Sequence, residues 1–246
     1  MNAVQIFRAF GPVDAKMIRR DSMLAGMLAL PVVMGLAMRF VLPFLAGVIS
    51  RLIQFDLQPY YPVVLNYIVL MMMPCFAGCL VGLLLLDQRD DRTLTALQVT
   101  PLSLKGYLQY RLAVPTFLGF VMTMVAVPLA GLMEMSFGTL LLSSLISAPL
   151  APITALVFAA IAGNKVQGLA VMKVLGAVTD LPIVAFFLPE KWQLVFGLFP
   201  TYWPAKVFTM LQHNQPGAWI YALVAMVYQL ALIWLLARRF YHQMTH

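Results

Sequence analysis

Charged residues are scarce in this chain. Of its 246 residues, 10% are charged and 62% are hydrophobic, whereas soluble domains carry about 25% charged residues. That composition excludes a soluble domain, a disordered tail and an extracellular scaffold. It also excludes a nucleic-acid-binding domain despite the net charge of +7, because runs of about 20 nearly uncharged residues recur, long enough to cross a bilayer. The sequence predicts an all-α polytopic membrane protein.

Motifs for catalysis are missing as well. No Gly-x-Ser-x-Gly, His-Glu-x-x-His or pair of intramembrane carboxylates occurs, and no Gly-Lys dipeptide is present for a Walker A phosphate loop. The three histidines fall in an external segment or near the carboxyl end. We therefore expect no enzyme activity, no catalytic residue and no bound cofactor or metal in this chain.

Cysteine is almost absent, and both copies lie in one predicted span. Cys75, Gly78, Cys79 and Gly82 follow the helical spacing i, i+3, i+4, i+7. Cysteines four apart on a helix are poorly placed for a disulfide. A stripe of small residues lets two helix backbones approach closely, so we interpret it as a packing surface in preference to a chemical site.

Six spans can be drawn between the charged and Pro/Gly-rich segments. Twelve Lys and Arg residues then fall on one side of the membrane, three fall on the other, and one lies within a span. Because Lys and Arg concentrate in cytoplasmic loops, we expect both termini in the cytoplasm. The predicted spans are Met23–Gly47, Val63–Leu86, Val114–Leu132, Leu140–Ala162, Leu169–Leu188 and Ile220–Leu236, so that residues 23–246 form one transmembrane domain.

Residues 1–22 precede the first span and carry both apolar and basic side chains. Val4, Phe7 and Phe10 repeat at helical spacing, and Arg8 and Lys16 belong to the basic side. This pattern is typical of an amphipathic helix in the cytoplasmic membrane interface. A solvated leader is the alternative.

The cytoplasmic loop 87–113 is the second segment that does not span. Asp90 or Asp91 can cap a short helix whose apolar face is Leu94 and Leu97, and Pro101 ends it. An exposed apolar pair rimmed by arginines is typical of a docking element for another protein. The alternative is a solvated connector whose charges only set topology.

The external segment 189–219 is too apolar for a solvated loop. Trp192, Trp203 and Trp219 are aromatic residues of the kind found at headgroup depth. We predict two short helices that enter the outer leaflet and return, with a bend at Phe199–Pro204 that protein or water must cover.

Two charged residues fall inside predicted spans. Arg39 lies in the outer part of the first span, and Asp180, next to Thr179, lies near the middle of the fifth. Intramembrane ionisable groups are costly and are candidates for function. These three residues are our candidates for a substrate path. Arg39 and Asp180 could instead pair with each other, and Arg39 could simply reach the outer headgroups.

The loop motif resembles that of a known family. The loop reads Asp90-Asp91-Arg92-Thr93-Leu94, then Leu97, then Val99-Thr100-Pro101-Leu102-Ser103, and then Tyr107-Leu108 and Arg111. This pattern is similar to the cytoplasmic loop of ATP-binding-cassette (ABC) permeases of the type-2 exporter family. Arg92 stands where glycine is usual. The outline of an N-terminal helix, six spans and a re-entrant pair before the last span is also similar.

The resemblance implies a permease subunit of a drug or antibiotic exporter in the bacterial cytoplasmic (inner) membrane. It implies a dimer with a second permease subunit, identical or different, that binds two copies of a cytoplasmic ABC ATPase, and it is the ATPase that holds ATP and Mg. Membrane lipid is the remaining partner, and no nucleic acid is expected. The residues it implies for ATPase coupling are Asp90, Asp91, Arg92, Thr93, Leu94, Leu97, Val99 and Pro101.

The expected function is therefore export of an amphipathic or hydrophobic substrate such as a drug, an antibiotic or a lipid-like molecule. The rivals are a secondary transporter driven by an ion gradient through Asp180, and a membrane assembly or scaffold subunit without transport. No inverted repeat is visible, which weighs against the secondary transporter.

Overall fold

The structure is a computed structural model and describes residues 3–90 and 104–245. All regular structure in those two ranges is helical. Six helical segments are long and apolar enough to cross a membrane, as predicted, and they are named here the first to the sixth span. They are Ser22–Ile53, Gln58–Gln88, Gly106–Ala130, Phe137–Ile161, Lys165–Phe187 and Ala218–Phe240.

An amino-terminal helix, Ala3–Arg20, precedes the first span and runs on through Pro12. Only Asp21 separates it from the first-span helix, Ser22–Ile53. The Asp21 carboxylate accepts hydrogen bonds from the backbone N–H groups of Met23 and Leu24, at 2.9 and 3.2 Å. A side-chain cap of this kind satisfies the free N–H groups that begin a helix, so one residue is enough to turn the chain.

The second span lies at the centre of the fold. Within its most apolar stretch 83% of the residues are buried, whereas the value is 11% for the first and fifth spans. It begins with a 3₁₀ turn, Gln58–Tyr60, and a short α-helix, Tyr61–Val64. A π-helical segment, Leu65–Met71, follows before the α-helix Met72–Asp90. The first and fifth spans are thus left at the periphery.

Small residues of the second span face the fourth, as the stripe predicted. A Cβ atom added to Gly78 would lie 2.6 Å from Cβ of Thr154, and one added to Gly82 would lie 2.7 Å from Cβ of Phe158. Only glycine allows this approach. Both cysteines of the stripe are free and buried, in agreement with a packing surface.

The other spans have longer or more interrupted helices than predicted. The first continues to Ile53 instead of Gly47 and ends at Gln54, a left-handed residue with φ of 54°. The remaining helices are Leu104–Ala130 in the third span, Phe137–Ser147 and Leu150–Ile161 in the fourth, Lys165–Asp180 with the 3₁₀ segment Leu181–Phe187 in the fifth, and Ala218–Thr245 in the sixth.

The external segment has helical turns on both sides of its predicted bend. Glu190–Gln193 and a 3₁₀ segment, Leu194–Leu198, come before it, and the helix Tyr202–Gln212 begins inside it, so the bend is shorter than the predicted Phe199–Pro204. The bend is covered by protein, because Thr201 is fully buried and its hydroxyl donates to the carbonyl of Thr179 at 2.8 Å. Entry of this segment into the outer leaflet stays a prediction.

Candidate coupling site at the inner ends of the spans

The second and third spans meet around a buried arginine at the end of the fold where the amino-terminal helix lies. We call this end the inner end, after its predicted cytoplasmic side, and the opposite end the outer end. Arg111 lies in the second turn of Leu104–Ala130, and 1% of its side chain is exposed. A guanidinium stays charged at any physiological pH. Its burial therefore requires an anion and a full set of hydrogen-bond acceptors.

Asp14 of the amino-terminal helix supplies the anion. Nη1 of Arg111 donates to Oδ2 of Asp14 at 2.9 Å, and Nη2 donates to Oδ1 at 3.2 Å. Two parallel bonds between a guanidinium and a carboxylate form the strongest type of charge-assisted contact. With 7% of the Asp14 side chain exposed, the pair is almost free of water.

Gln88 and two tyrosines complete the network. The Gln88 carbonyl accepts from Nη2 of Arg111 at 2.7 Å and from the Tyr107 hydroxyl at 3.1 Å, and its amide donates to Asp14 at 3.2 Å. The Tyr110 hydroxyl donates to Asp14 at 2.8 Å, and Nε of Arg111 donates to Tyr107 at 3.2 Å. No polar side-chain atom of these five residues is buried without a partner. We call Asp14, Gln88, Tyr107, Tyr110 and Arg111 the buried network.

Helical spacing and a covering aromatic ring shield the buried network from water. Tyr107 and Arg111 are four residues apart and so share one helix face, with the guanidinium 5.2 Å from the ring centre. The ring of Phe10 lies 5.4 Å from both tyrosine rings. Phe10 itself is 7% exposed, so the amino-terminal helix uses its aromatic side against protein at this point.

The buried network joins both stems of the predicted docking loop to the amino-terminal helix. Gln88 is near the end of the second span, and Tyr107 and Arg111 are near the start of the third. Asp90 is the last residue of the helix Met72–Asp90. The other predicted coupling residues, Asp91, Arg92, Thr93, Leu94, Leu97, Val99 and Pro101, lie outside the described residues, so their docking role stays a prediction.

A second ionic cluster joins three spans at the same end. The Lys165 ammonium at the start of the fifth span forms an ion pair with Asp21, before the first span, and one with Asp87 of the second span at 2.9 Å. The Lys165 side chain is 30% exposed. The hydrogen bond from this ammonium lowers the pKa of the Asp21 carboxyl, and the backbone N–H groups of the helix start act in the same direction. The carboxylate therefore stays ionised at neutral pH.

Of the three predicted path residues, Arg39 is not brought together with Thr179 and Asp180. Arg39 is exposed and lies beside Gly131, at the outer end of the third span. Asp180 is half-buried and ends the helix Lys165–Asp180, nearer the outer end of the fifth span than predicted. Both residues are described, and no ion pair joins them.

Thr179 and Asp180 both lie near Cys75 of the second span. The Thr179 side chain contributes to a cavity of about 30 Å³ that Cys75 and Met172 also line, between the second and fifth spans. Oδ1 of Asp180 is buried without a hydrogen-bond partner. In residues 3–90 and 104–245 no group of three His, Cys, Asp or Glu side chains could hold a metal ion.

Sequence reasoning missed the buried network and the Lys165 cluster. Lys165 was counted only as a topology charge, Arg111 only as a topology charge and as the basic residue that ends the loop motif, and Asp14, Asp21 and Gln88 received no role. One signal was present, because Asp14 is the sole acid in the first 20 residues. A single acid on an otherwise basic amphipathic helix indicates a fixed cationic partner.

These features define a class of protein: a multi-pass membrane protein, helical throughout its described residues, whose spans are tied together by ion pairs at one end. Comparison with known proteins then gives its family. The model of the family described as "Fluoroquinolones export permease protein Rv2686c-like" matches residues 14–237. The chain belongs to this family, and the resemblance to ABC-type drug export permeases is confirmed.

Two curated relatives support the assignment. They are the fluoroquinolones export permease protein Rv2686c of Mycobacterium tuberculosis strain ATCC 25618 / H37Rv and the protein of the same description, MT2760, of strain CDC 1551 / Oshkosh. Each is 33% identical over 234 residues, which cover 94% of this chain and 92% of the relative. No solved structure gives a significant match.

Proposed function

We propose that this permease is the membrane subunit of an ATP-driven ABC exporter. It docks a separate cytoplasmic ATPase through residues 91–103, pairs with a second permease subunit, and lies in the bacterial cytoplasmic membrane with both termini inside. The exported molecules are amphipathic drugs, with fluoroquinolones as the first candidates because both curated relatives carry that name.

The observation that carries this proposal is the buried network at the stems of the loop. A docking loop transmits force only if its stems move as one body with the spans. Here a fully paired set of buried side chains fixes the end of the second span, the start of the third and the amino-terminal helix to each other. Satisfied polar networks in a low-dielectric interior are rigid, so a push on the loop reaches both spans.

The exposed first and fifth spans support a second permease subunit. Along the first span Val33, Phe40 and Phe44 are 58, 67 and 69% exposed, and on the fifth Val166 and Val174 are 77 and 63% exposed. Lipid covers such faces in a monomer. In the proposed dimer the two spans flank the path between subunits.

The decisive experiment tests docking. The chain is expressed with the candidate ABC ATPase of its own operon or genome, and complex formation is measured by co-purification. Leu94→Asp and Leu97→Asp place a charge on the predicted docking face, so we expect loss of the bound ATPase and of ATP-dependent efflux.

A matched control carries the same charge elsewhere on the inner side. Asn164→Asp adds the charge at an exposed position just before the fifth span and retains the side-chain acceptor that caps its helix, so it should keep the ATPase bound. Normal ATPase binding and efflux in both loop variants would refute docking through residues 91–103.

One observation keeps the ion-gradient transporter as a second candidate. Oδ1 of Asp180 is buried and lacks a hydrogen-bond partner, as a proton-binding carboxyl would be in its empty form. Asp180→Asn removes the titratable group and keeps the shape. Efflux that needs no ATP, follows a proton gradient and stops in Asp180→Asn would favour this candidate; ATP-dependent efflux that is unchanged in Asp180→Asn would exclude it.

A further inference from the structure

Two adjoining cavities lie at the outer end of the fold, remote from the buried network. Their volumes are about 150 and about 90 Å³, and they share Tyr67, Phe186 and Thr209. The walls come from the π-helical part of the second span, the 3₁₀ end of the fifth span and the helix Tyr202–Gln212. We call the two together the outer cavity.

Asn66 places an unused acceptor at the outer cavity. It lines the smaller part, and the residue is 2% exposed. Its amide nitrogen donates to the carbonyl of Ala205 at 2.9 Å, but Oδ1 is buried with no partner. A buried acceptor without a donor costs free energy. Its place in a π-helical turn is also notable, since such turns occur often at functional sites.

Lys206 places a positive charge in the larger part. Its ammonium donates to the side-chain carbonyl of Gln193 at 2.8 Å. Among the residues that the structure describes, no carboxylate lies within 4 Å of this ammonium. The Glu190 carboxylate is close enough to act on Tyr202 of the same wall. The cation is therefore half-buried without a direct counter-ion.

The rest of the lining is aromatic. Tyr67 and Tyr202 are buried, and Phe186 is 43% exposed at the edge. Burial raises the pKa of Tyr202, and Tyr221 and Glu190 act in the same direction, so its phenol is neutral at physiological pH and cannot serve as the missing anion. A flat ring can pack on these side chains while its acidic group reaches the ammonium.

From these features we propose that the outer cavity binds the carboxylate-bearing ring of an amphipathic aromatic acid. Lys206 binds the carboxylate, the aromatic walls hold the ring, and Oδ1 of Asn66 accepts a hydrogen bond from a ligand N–H or O–H group or from a water molecule that the ligand retains. Whole drug molecules occupy pockets of about 300–1,000 Å³, so the outer cavity takes one end of the molecule. This inference rests on the proposed drug export and assigns a subsite to the exported molecule.

The test uses ciprofloxacin, a fluoroquinolone with a carboxylate on a fused aromatic ring, and its methyl ester, which lacks that charge. Binding to the purified full-length chain in phosphatidylcholine nanodiscs is measured by ligand fluorescence polarisation. Lys206→Gln should weaken binding of the acid roughly tenfold to a hundredfold, the range for a hydrogen bond to a charged group. The ester should bind the wild type and Lys206→Gln equally.

Two further variants control for charge and folding. Lys206→Arg keeps the cation and should retain most of the affinity for the acid. Lys191→Gln removes an exposed lysine from the same external segment and should bind like the wild type. Equal affinity of Lys206→Gln and the wild type for the acid, or an equal loss for acid and ester, would overturn the proposed site.

Other outcomes separate this site from the proposed function and from lipid binding. If the wild type shows ATP-driven efflux and Lys206→Gln binds ciprofloxacin as tightly as the wild type, the proposed site is wrong and the export function stands. Absence of both efflux and ciprofloxacin binding in the wild type would overturn both. If phosphatidylglycerol in the nanodisc binds through Lys206 while ciprofloxacin affinity does not depend on that residue, the outer cavity is a lipid headgroup site and the proposal is wrong.

Discussion

Replacement of Asp14 by leucine would leave the Arg111 guanidinium buried without its counter-ion. The carboxylate accepts two of the four direct hydrogen bonds of that guanidinium, and the other two go to Gln88 and Tyr107. Tyr110 would lose its acceptor in the same substitution. The variant therefore removes the only charge that offsets a cation whose side chain is 1% exposed in the described structure.

The expected cost follows from the burial of both partners. Removal of one member of a buried ion pair costs about 3–5 kcal/mol, whereas replacement of both by apolar residues of similar volume is often nearly neutral. Asp14→Leu should therefore lower the free energy of unfolding by about 3–5 kcal/mol, and Arg111→Met by a similar amount. The double variant Asp14→Leu/Arg111→Met should recover most of the loss.

The assay is reversible unfolding in mixed micelles of dodecyl sulfate, followed by tryptophan emission, for all four members of the cycle. ATP-dependent efflux is measured in parallel. Because the double variant keeps packing but loses the ionic link between the amino-terminal helix and the loop stems, we expect it to be stable and poorly coupled. A loss below about 1 kcal/mol for Asp14→Leu, the size of an exposed pair, or a double variant no more stable than the singles, would refute the reasoning.

Three further predictions concern other contacts. Gly78→Ala should lower the free energy of unfolding by about 1–3 kcal/mol, because the added Cβ meets the fourth span. In the control Gly26→Ala the added Cβ meets nothing within 4 Å, so this variant should be neutral or stabilising. Equal changes in the free energy of unfolding for the two variants would contradict close packing at Gly78. Asp21→Asn keeps the helix cap but loses the charge pair with Lys165. Because the pKa of Asp21 lies below its ordinary value of 3.8, the wild type should be more stable than the variant above pH 3.8. This advantage should vanish as the pH falls through the lowered pKa. A gap in thermal stability that does not shrink as the pH falls below 3.8 would count against this pair. Thr201→Val removes a buried hydrogen bond to a main-chain carbonyl, so thermal unfolding should show a loss of about 0.5–1.5 kcal/mol in the free energy of unfolding. An unchanged thermal unfolding curve would show that the bend does not depend on this hydrogen bond.

Hydropathy predicted the membrane architecture because the bilayer requires a continuous apolar run for each span, and such a run is visible in the local sequence. Runs of about 20 apolar residues are long enough to span, and the structure has six helical segments of sufficient length and apolarity. The glycine stripe of the second span was predictable for the same reason, since helical spacing alone puts Gly78 and Gly82 on one face. The ends were harder to predict: Gly47 was taken as the end of the first span, but the helix continues to Ile53.

The candidate site was largely invisible in the sequence because its members are far apart along the chain. Asp14 and Arg111 are separated by 97 positions, and a single sequence carries no information on which charges meet. Ser103 could be read from the sequence as the cap of a helix that leads through Tyr107 into the third span, and that helix does begin at Leu104. The sequence did not show that Arg111 on this helix faces Asp14. Arg39 and Asp180 attracted attention by lying within apolar runs, and the structure keeps them apart.

The contacts of Lys165 have a mechanical meaning. One ammonium holds the inner ends of the first, second and fifth spans through Asp21 and Asp87. Any conformation that opens a passage from the cytoplasm between those spans must break at least one of these ion pairs and hydrate the separated charges. The Lys165 cluster therefore stabilises the conformation that is closed at this end. The free energy needed to break its ion pairs has to come from the energy source of the transporter.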